Sequence, residues 1–132
     1  MKLTTRTKYG LKMCFLIAVA DGTVPLSALS KQTGHSEKYL EQLLIRLKKG
    51  GILASDRGAL GGYRLARPAA DISIKEILDA LDDGFDLSEC AEGVCRDAYC
   101  PNKRIFARLS DNINSTLSSV SLQDMVDDYR CV

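Results

Sequence analysis

The feature that most restricts this chain is the run Arg57-Gly58-Ala59-Leu60-Gly61-Gly62, set between the short segments Ile52-Leu53-Ala54-Ser55 and Tyr63-Arg64-Leu65-Ala66. Glycines so closely spaced allow a tight reversal, and the flanking segments are of the length that pairs into one β-hairpin. The hairpin follows at once on Gly50-Gly51, which ends a helix that Ser36 can cap. That helix carries Leu40, Leu43, Leu44 and Leu47 at i, i+3, i+4 and i+7, one narrow buried stripe. Lys38, Gln42, Ile45, Arg46 and Lys49 fall on the opposite side, with Tyr39 and Glu41 at its margins. Pro25 and Ser27 open a shorter helix over 26–32, which Gly34 stops by offering the left-handed conformation. Two helices joined through Gly34 and followed directly by a hairpin describe a winged helix-turn-helix, the second helix being the recognition helix.

The outward residues suit that reading. Gln and Arg can bond base edges in pairs, and Lys reaches phosphate or guanine. Arg57 at the hairpin tip is placed to enter the adjacent minor groove or touch its phosphates. Taken alone, the same face is also what a solvated amphipathic helix presents. The tip is a poor phosphate-binding loop, because it lacks the Gly-Lys-Ser/Thr ending and no helix follows it directly.

Charge is divided along the chain. Residues 1–70 hold 12 Lys and Arg against 4 Asp and Glu, while residues 71–132 hold 6 against 13, so the halves carry +8 and −7 within a total of +1. A basic half suits a phosphate backbone, and an acidic half is expected on the far side. An apolar fraction of 45% fits a globular chain. No apolar run approaches the roughly 20 residues that cross a bilayer, and polar residues begin at the N-terminus, so a cytoplasmic protein without a membrane partner is expected.

The first helix spans 7–20, with Tyr9, Leu11, Met13, Cys14, Phe15, Ile17 and Ala18 dense enough for burial; Cys14 reads as a core residue. Arg6, Lys8 and Lys12 lie on its polar side. A fourth helix is expected over 71–84, with Ser73 and Glu76 as a capping box and Ile74, Ile77, Leu78 and Leu81 as its stripe. Its acidic residues Asp79, Asp82, Asp83 and Asp86 read as a solvated face. Pro101 opens a long helix in which Ile105, Leu109, Ile113 and Leu117 recur every four residues, flanked by Phe106 and Val120. Asn112, Asn114, Ser115, Ser118 and Ser119 are expected to face away from that stripe. So long a stripe on a terminal helix calls for a partner beyond the domain core, and a second copy of the helix is the natural one. A last short helix starts at Ser121 with Asp124 and carries Leu122, Met125, Val126 and Tyr129.

Between the fourth helix and the long one lie Cys90, Cys95 and Cys100, three of the five cysteines, with four residues in each gap. In a chain without an export signal, clustered thiols are more often ligands or redox centres than disulfides. The spacing lacks the paired C-x2-C knuckles of zinc ribbons, and thiolates suit an iron-sulfur cluster, 2Fe-2S or 4Fe-4S. Cys100 next to Pro101 stands at the positive end of the long helix, which favours a thiolate. A thiol-disulfide sensor or a zinc site at the same cysteines stays open, as does an assembly protein that reuses a winged helix; no acid-base pair or activated nucleophile points to an enzyme or a small-molecule substrate. His35, the only histidine, stands at the entrance of the recognition helix, where capping or DNA contact is expected rather than ligation.

The runs Lys2 to Leu11, Ser36 to Leu53 and Arg57 to Ala66, followed by the three cysteines, resemble the Rrf-two family of bacterial transcription regulators over nearly the whole chain. The resemblance implies a homodimer on a palindromic double-stranded operator. It puts Lys38, Tyr39, Glu41, Gln42 and Arg57 at DNA-reading positions and Cys90, Cys95 and Cys100 at cluster positions. With the neighbouring residues, the expected DNA-binding set is Ser36, Lys38, Tyr39, Glu41, Gln42, Arg46, Arg57, Gly61 and Gly62. The dimer set is Ile105, Leu109, Ile113 and Leu117. Lys103 and Lys8 occupy positions where iron-sulfur members of the family have a histidine and an aspartate as further ligands, so the fourth ligand is open among Glu89, Glu92, Asp97, Cys131 and an external group. The fold expected is mainly α with a small β-hairpin wing. It divides into a winged helix-turn-helix domain over 1–84, a cysteine-rich cluster-binding loop over 85–100, and a long C-terminal dimerisation helix with a short helix over 101–132.

Overall fold

A computed structural model of the chain describes residues 4–81 and 99–131. Helix α1 is Thr5–Ala20, α2 is Leu26–Thr33 and α3 is Glu37–Lys49; strands β1, Leu53–Asp56, and β2, Gly62–Leu65, form an antiparallel hairpin. A 3-10 turn at Ala69–Asp71 precedes α4, Ile74–Ala80, and the chain continues into α5, Asn102–Ser119, and α6, Leu122–Arg130.

The ends of these helices follow the local chemistry. Thr4, Ser36, Ser73 and Ser121 each cap a helix with a side-chain oxygen that accepts a backbone N–H, and Ser73 with Glu76 and Ser121 with Asp124 complete reciprocal capping boxes. Gly34 closes α2 at φ 75°, a conformation costly for any residue with a Cβ. Helix α4 therefore cannot begin at Asp71 as expected: Ser73 spends its side chain on the cap, and the residues before it form the separate 3-10 turn. The expected strand over 52–55 is shifted by one residue, because the Ile52 N–H is still bonded to the Leu47 carbonyl at the helix end (3.0 Å).

The core gathers Met13, Cys14 and Ile17 of α1, Leu29 of α2, the stripe Leu40, Leu43, Leu44 and Leu47 of α3, Ile52, Leu53, Ile72, Ile77, Leu81 and Leu122. Burial of that many aliphatic side chains, each worth roughly 1.5–3 kcal/mol, is the main force holding the helices together. Leu122 comes from α6, so the C-terminal helix belongs to the same core as the hairpin. It is joined there by backbone: the Ile74 N–H donates to the Val120 carbonyl and the Leu122 N–H to the Ile72 carbonyl, both at 2.8 Å. Among the described residues no helix is long and apolar enough to cross a membrane.

Candidate nucleic-acid interface

Helix α3 buries its leucine stripe and turns Lys38, Glu41, Gln42, Ile45 and Lys49 to solvent, with Arg46 half-buried between them. Gln42, Ile45, Arg46 and Lys49, together with Gly50 and Ala80 of α4, line a hollow of about 590 Å³. Ser36 stands at the head of this face and its hydroxyl accepts the Tyr39 N–H (3.2 Å). Tyr39 is less available than its sequence position suggests, since its ring is half-buried against the core and faces His35 at 5.5 Å. His35 in turn meets Tyr9 of α1 edge-on, centroids 3.9 Å apart. Its ring thus joins the first helix to the start of the recognition helix.

The wing is fixed to this helix by polar contacts that pattern reading missed. Lys48 donates to the Ser55 hydroxyl (2.7 Å), tying the end of α3 to β1. The Asp56 carboxylate accepts both Thr23 Oγ1 (2.9 Å) and Arg64 Nε (3.1 Å), joining β1, β2 and the α1–α2 connection. Tyr63 exchanges two backbone hydrogen bonds with Val24, each 2.8 Å, so the outer edge of β2 is covered at that point. Burial, and then the carboxylate of Glu41 on α3, push the Tyr63 phenol above its ordinary value. The only available signal for Asp56 was its position at a strand end beside an exposed Arg57, which periodicity does not register.

Gly61 and Gly62, expected at the DNA, have a steric role inside the wing. A Cβ on Gly61 would lie 2.5 Å from the Asp56 carbonyl oxygen, and one on Gly62 would collide with the Val24 carbonyl. Arg57 is exposed, and the tip beyond it is a turn closed by the Gly61 N–H on the Gly58 carbonyl (2.9 Å).

Of the cluster residues, Cys90 and Cys95 lie outside the described residues, as do Glu89, Glu92, Asp97 and the acidic residues Asp82, Asp83 and Asp86. Cys100 is a half-buried free thiol immediately before Pro101, the N-cap of α5, and its carbonyl accepts the Lys103 N–H (3.4 Å). Among the described residues no three metal-ligating side chains come together. Cys14 is fully buried in the core, and burial pushes its thiol up to about 12. Cys131 is exposed after α6.

The long helix has no fully buried residue among its own. Its stripe divides: Ile113 and Leu117 are half-buried against the chain, whereas Ile105 is 60% and Leu109 44% exposed. Asn114, expected to face away, is half-buried and bonds Ser110 (3.4 Å), because the inward side of α5 is rotated toward Phe106, Ser110 and Asn114. Elsewhere, Leu11, Phe15 and Leu16 of α1 with Met125 and Tyr129 of α6 line an apolar groove of about 550 Å³, flanked by Lys8 and Lys12.

The sequence profile of the Rrf2 family, described as iron-dependent transcriptional regulators, matches residues 3–128. An HTH-type transcriptional regulator IscR from Photorhabdus laumondii is 36% identical over 134 residues, which cover 98% of this chain and 82% of that protein. Among solved structures, IscR of T. potens is 33% identical with a TM-score of 0.79, covering 98% of this chain and 88% of that one. CymR, the global cysteine regulator of B. subtilis, is 29% identical with a TM-score of 0.82, covering 96% and 97%.

Proposed function

The chain belongs to the Rrf2 (Rrf-two) family of transcriptional regulators, and from that premise we propose a cytoplasmic homodimer that binds a palindromic operator with an affinity set by an iron-sulfur cluster on Cys90, Cys95 and Cys100. In this reading Lys38, Gln42 and Arg46 of α3 meet the major groove, and Arg57 meets the adjacent minor groove. Ile105 and Leu109, too exposed for a helix that ends its work within one chain, are covered by the second subunit.

The observation that carries the cluster reading is the place of Cys100. Cys100 stands one residue before Pro101, the N-cap of the 18-residue helix α5, so a group bound to it is tied to the start of that helix. Three thiolates are a donor set suited to iron and sulfide. When bound, the cluster supplies an anchor sensitive to redox state and to small reactive ligands. This chain's own residues supply the coupling: α5 packs on α4, and a Cβ on Gly50 at the end of α3 would sit only 2.5 Å from the Ala80 Cβ of α4. A shift of α5 is therefore felt at the recognition helix through one intervening helix.

Anaerobic purification tests the reading. A coloured protein with iron and sulfide, whose DNA affinity changes when the cluster is removed, is expected. A protein that stays colourless after reconstitution, or that carries stoichiometric zinc, would sink it. A second reading, thiol oxidation without a cluster, is supported by the free thiols Cys100 and Cys131. It predicts colourless protein whose DNA affinity responds to peroxide and is restored by a reductant.

A further inference from the structure

Leu60 is 93% exposed at the tip of the wing, whereas the leucines of α2 and α3 are packed inward. It contributes nothing to the core, and no side chain of the hairpin covers it. Its backbone, however, is well held. Ala59 and Leu60 are the two central residues of the turn closed from Gly61 to Gly58. The strands beneath are braced by Asp56 with Arg64 and Thr23, by Tyr63 with Val24, and by Lys48 with Ser55. The tip thus presents an exposed aliphatic side chain on a hydrogen-bonded turn, three residues from the exposed cation Arg57.

We infer that Leu60 is a minor-groove contact that makes the wing select base pairs lacking the guanine 2-amino group. The inference rests on the DNA-binding reading above and adds to it a residue that reads sequence. The chemistry of the groove fits both neighbours. Its phosphate walls attract Arg57, and its sugars and base edges offer apolar surface to an aliphatic side chain that enters the groove. At a G·C pair the 2-amino group projects from that floor as a hydrogen-bond donor. Leucine offers it no acceptor and displaces the water that would, so the donor is left unsatisfied. At an A·T pair no such group exists, and the side chain seats against the floor.

The test uses the full-length protein and a duplex enriched from a random-sequence pool by that protein, the pairs beneath the wing being located by hydroxyl-radical footprinting. Those pairs are made A·T, G·C or inosine·C, the last keeping the major-groove face of G·C without the 2-amino group. The wild-type protein is expected to bind the A·T and inosine·C duplexes alike and the G·C duplex about tenfold more weakly. Leu60→Ser is expected to bind all three alike, and Leu60→Met to keep the discrimination. Leu60→Ser with unchanged discrimination, or a wild-type protein indifferent to the three duplexes, overturns the inference while leaving the DNA-binding reading intact. Failure of the wild-type protein to enrich any duplex overturns that reading and this inference with it.

Discussion

The guanidinium of Arg6 donates to the backbone carbonyl of Leu81 at 3.1 Å, across 75 residues of chain. Leu81 is the C-cap of α4, is fully buried, and is the last described residue before the cysteine segment. Its side chain lies so close over Gly10 that a Cβ there would collide with Leu81 Cδ1. The C-terminal end of α4 is therefore fastened to α1 twice, once by a hydrogen bond and once by packing. Arg6→Ala is expected to cost about 1 kcal/mol, and Gly10→Val about 1–3 kcal/mol from overpacking. Urea denaturation of the purified protein measures both, and Gly10→Val with wild-type stability would show that Leu81 is not fixed there.

On the proposed recognition face of α3, the exposed Lys49 and Gln42 test phosphate contact and base reading separately. Lys49→Ala is expected to weaken binding evenly across sequences and to reduce the slope of log affinity against log salt by about 1 per subunit. Gln42→Ala is expected to leave that slope unchanged and to relax preference at one position of each half-site, by about 1–3 kcal/mol. Fluorescence anisotropy over a salt series distinguishes them.

Acid sensitivity has an identifiable source in the α4 cap. The Glu76 carboxyl is held below its ordinary 4.5 by the Ser73 N–H first, and then by Arg67 and the Ser73 hydroxyl. A carboxyl with a lowered folded value contributes stability that is fully present above its unfolded value and is lost as pH falls through the folded one. Glu76→Gln is expected to flatten the decline of the urea midpoint below about pH 4.5, and Ser73→Ala to cost about 1 kcal/mol at neutral pH. An identical acid limb in Glu76→Gln would assign the decline to other carboxylates.

The thiols should divide by reactivity. Cys131 is exposed and Cys100 half-buried, whereas Cys14 is sealed in the core with its thiol pushed up to about 12. Iodoacetamide at pH 8 is expected to label Cys131 at once, Cys100 more slowly, and Cys14 only in denaturant. Mass spectrometry of peptides reads the order; rapid labelling of native Cys14 would contradict its burial.

Ile105 and Leu109 test the proposed dimer. Leu109→Asp is expected to weaken self-association by at least tenfold without lowering helical content, because that side chain is already partly exposed in one chain. Sedimentation velocity is the measurement. Leu122→Asp, in contrast, should unfold the chain, since Leu122 lies in the core.

Much of this architecture is legible in the sequence because it depends on period and on punctuation. The stripe Leu40, Leu43, Leu44 and Leu47, the stop at Gly34 and the cap at Ser73 each follow from a local rule and are found in the structure, although α4 begins at Ile74 and not at Asp71. What pattern does not carry is the contact between distant polar residues. Lys48 with Ser55, Thr23 with Asp56 and Arg6 with Leu81 require knowing how elements lie against one another. The same holds for α5, whose four-residue repeat identified a stripe but not which part of it the chain itself covers. Tyr39 and His35 show a further limit, since a residue type suited to DNA is here half-buried in an aromatic contact.

The pair of hydrogen bonds that joins Ile74 to Val120 and Leu122 to Ile72 makes the intervening chain a closed linkage. Between those two bonds lie α4, whose Ile77 and C-cap Leu81 stay in the core, and α5, which returns to the same pair of residues. The start of α4 and the end of α5 are thereby held together, so α5, which has no fully buried residue of its own, can shift at its Cys100 end while its Val120 end stays fixed beside α4.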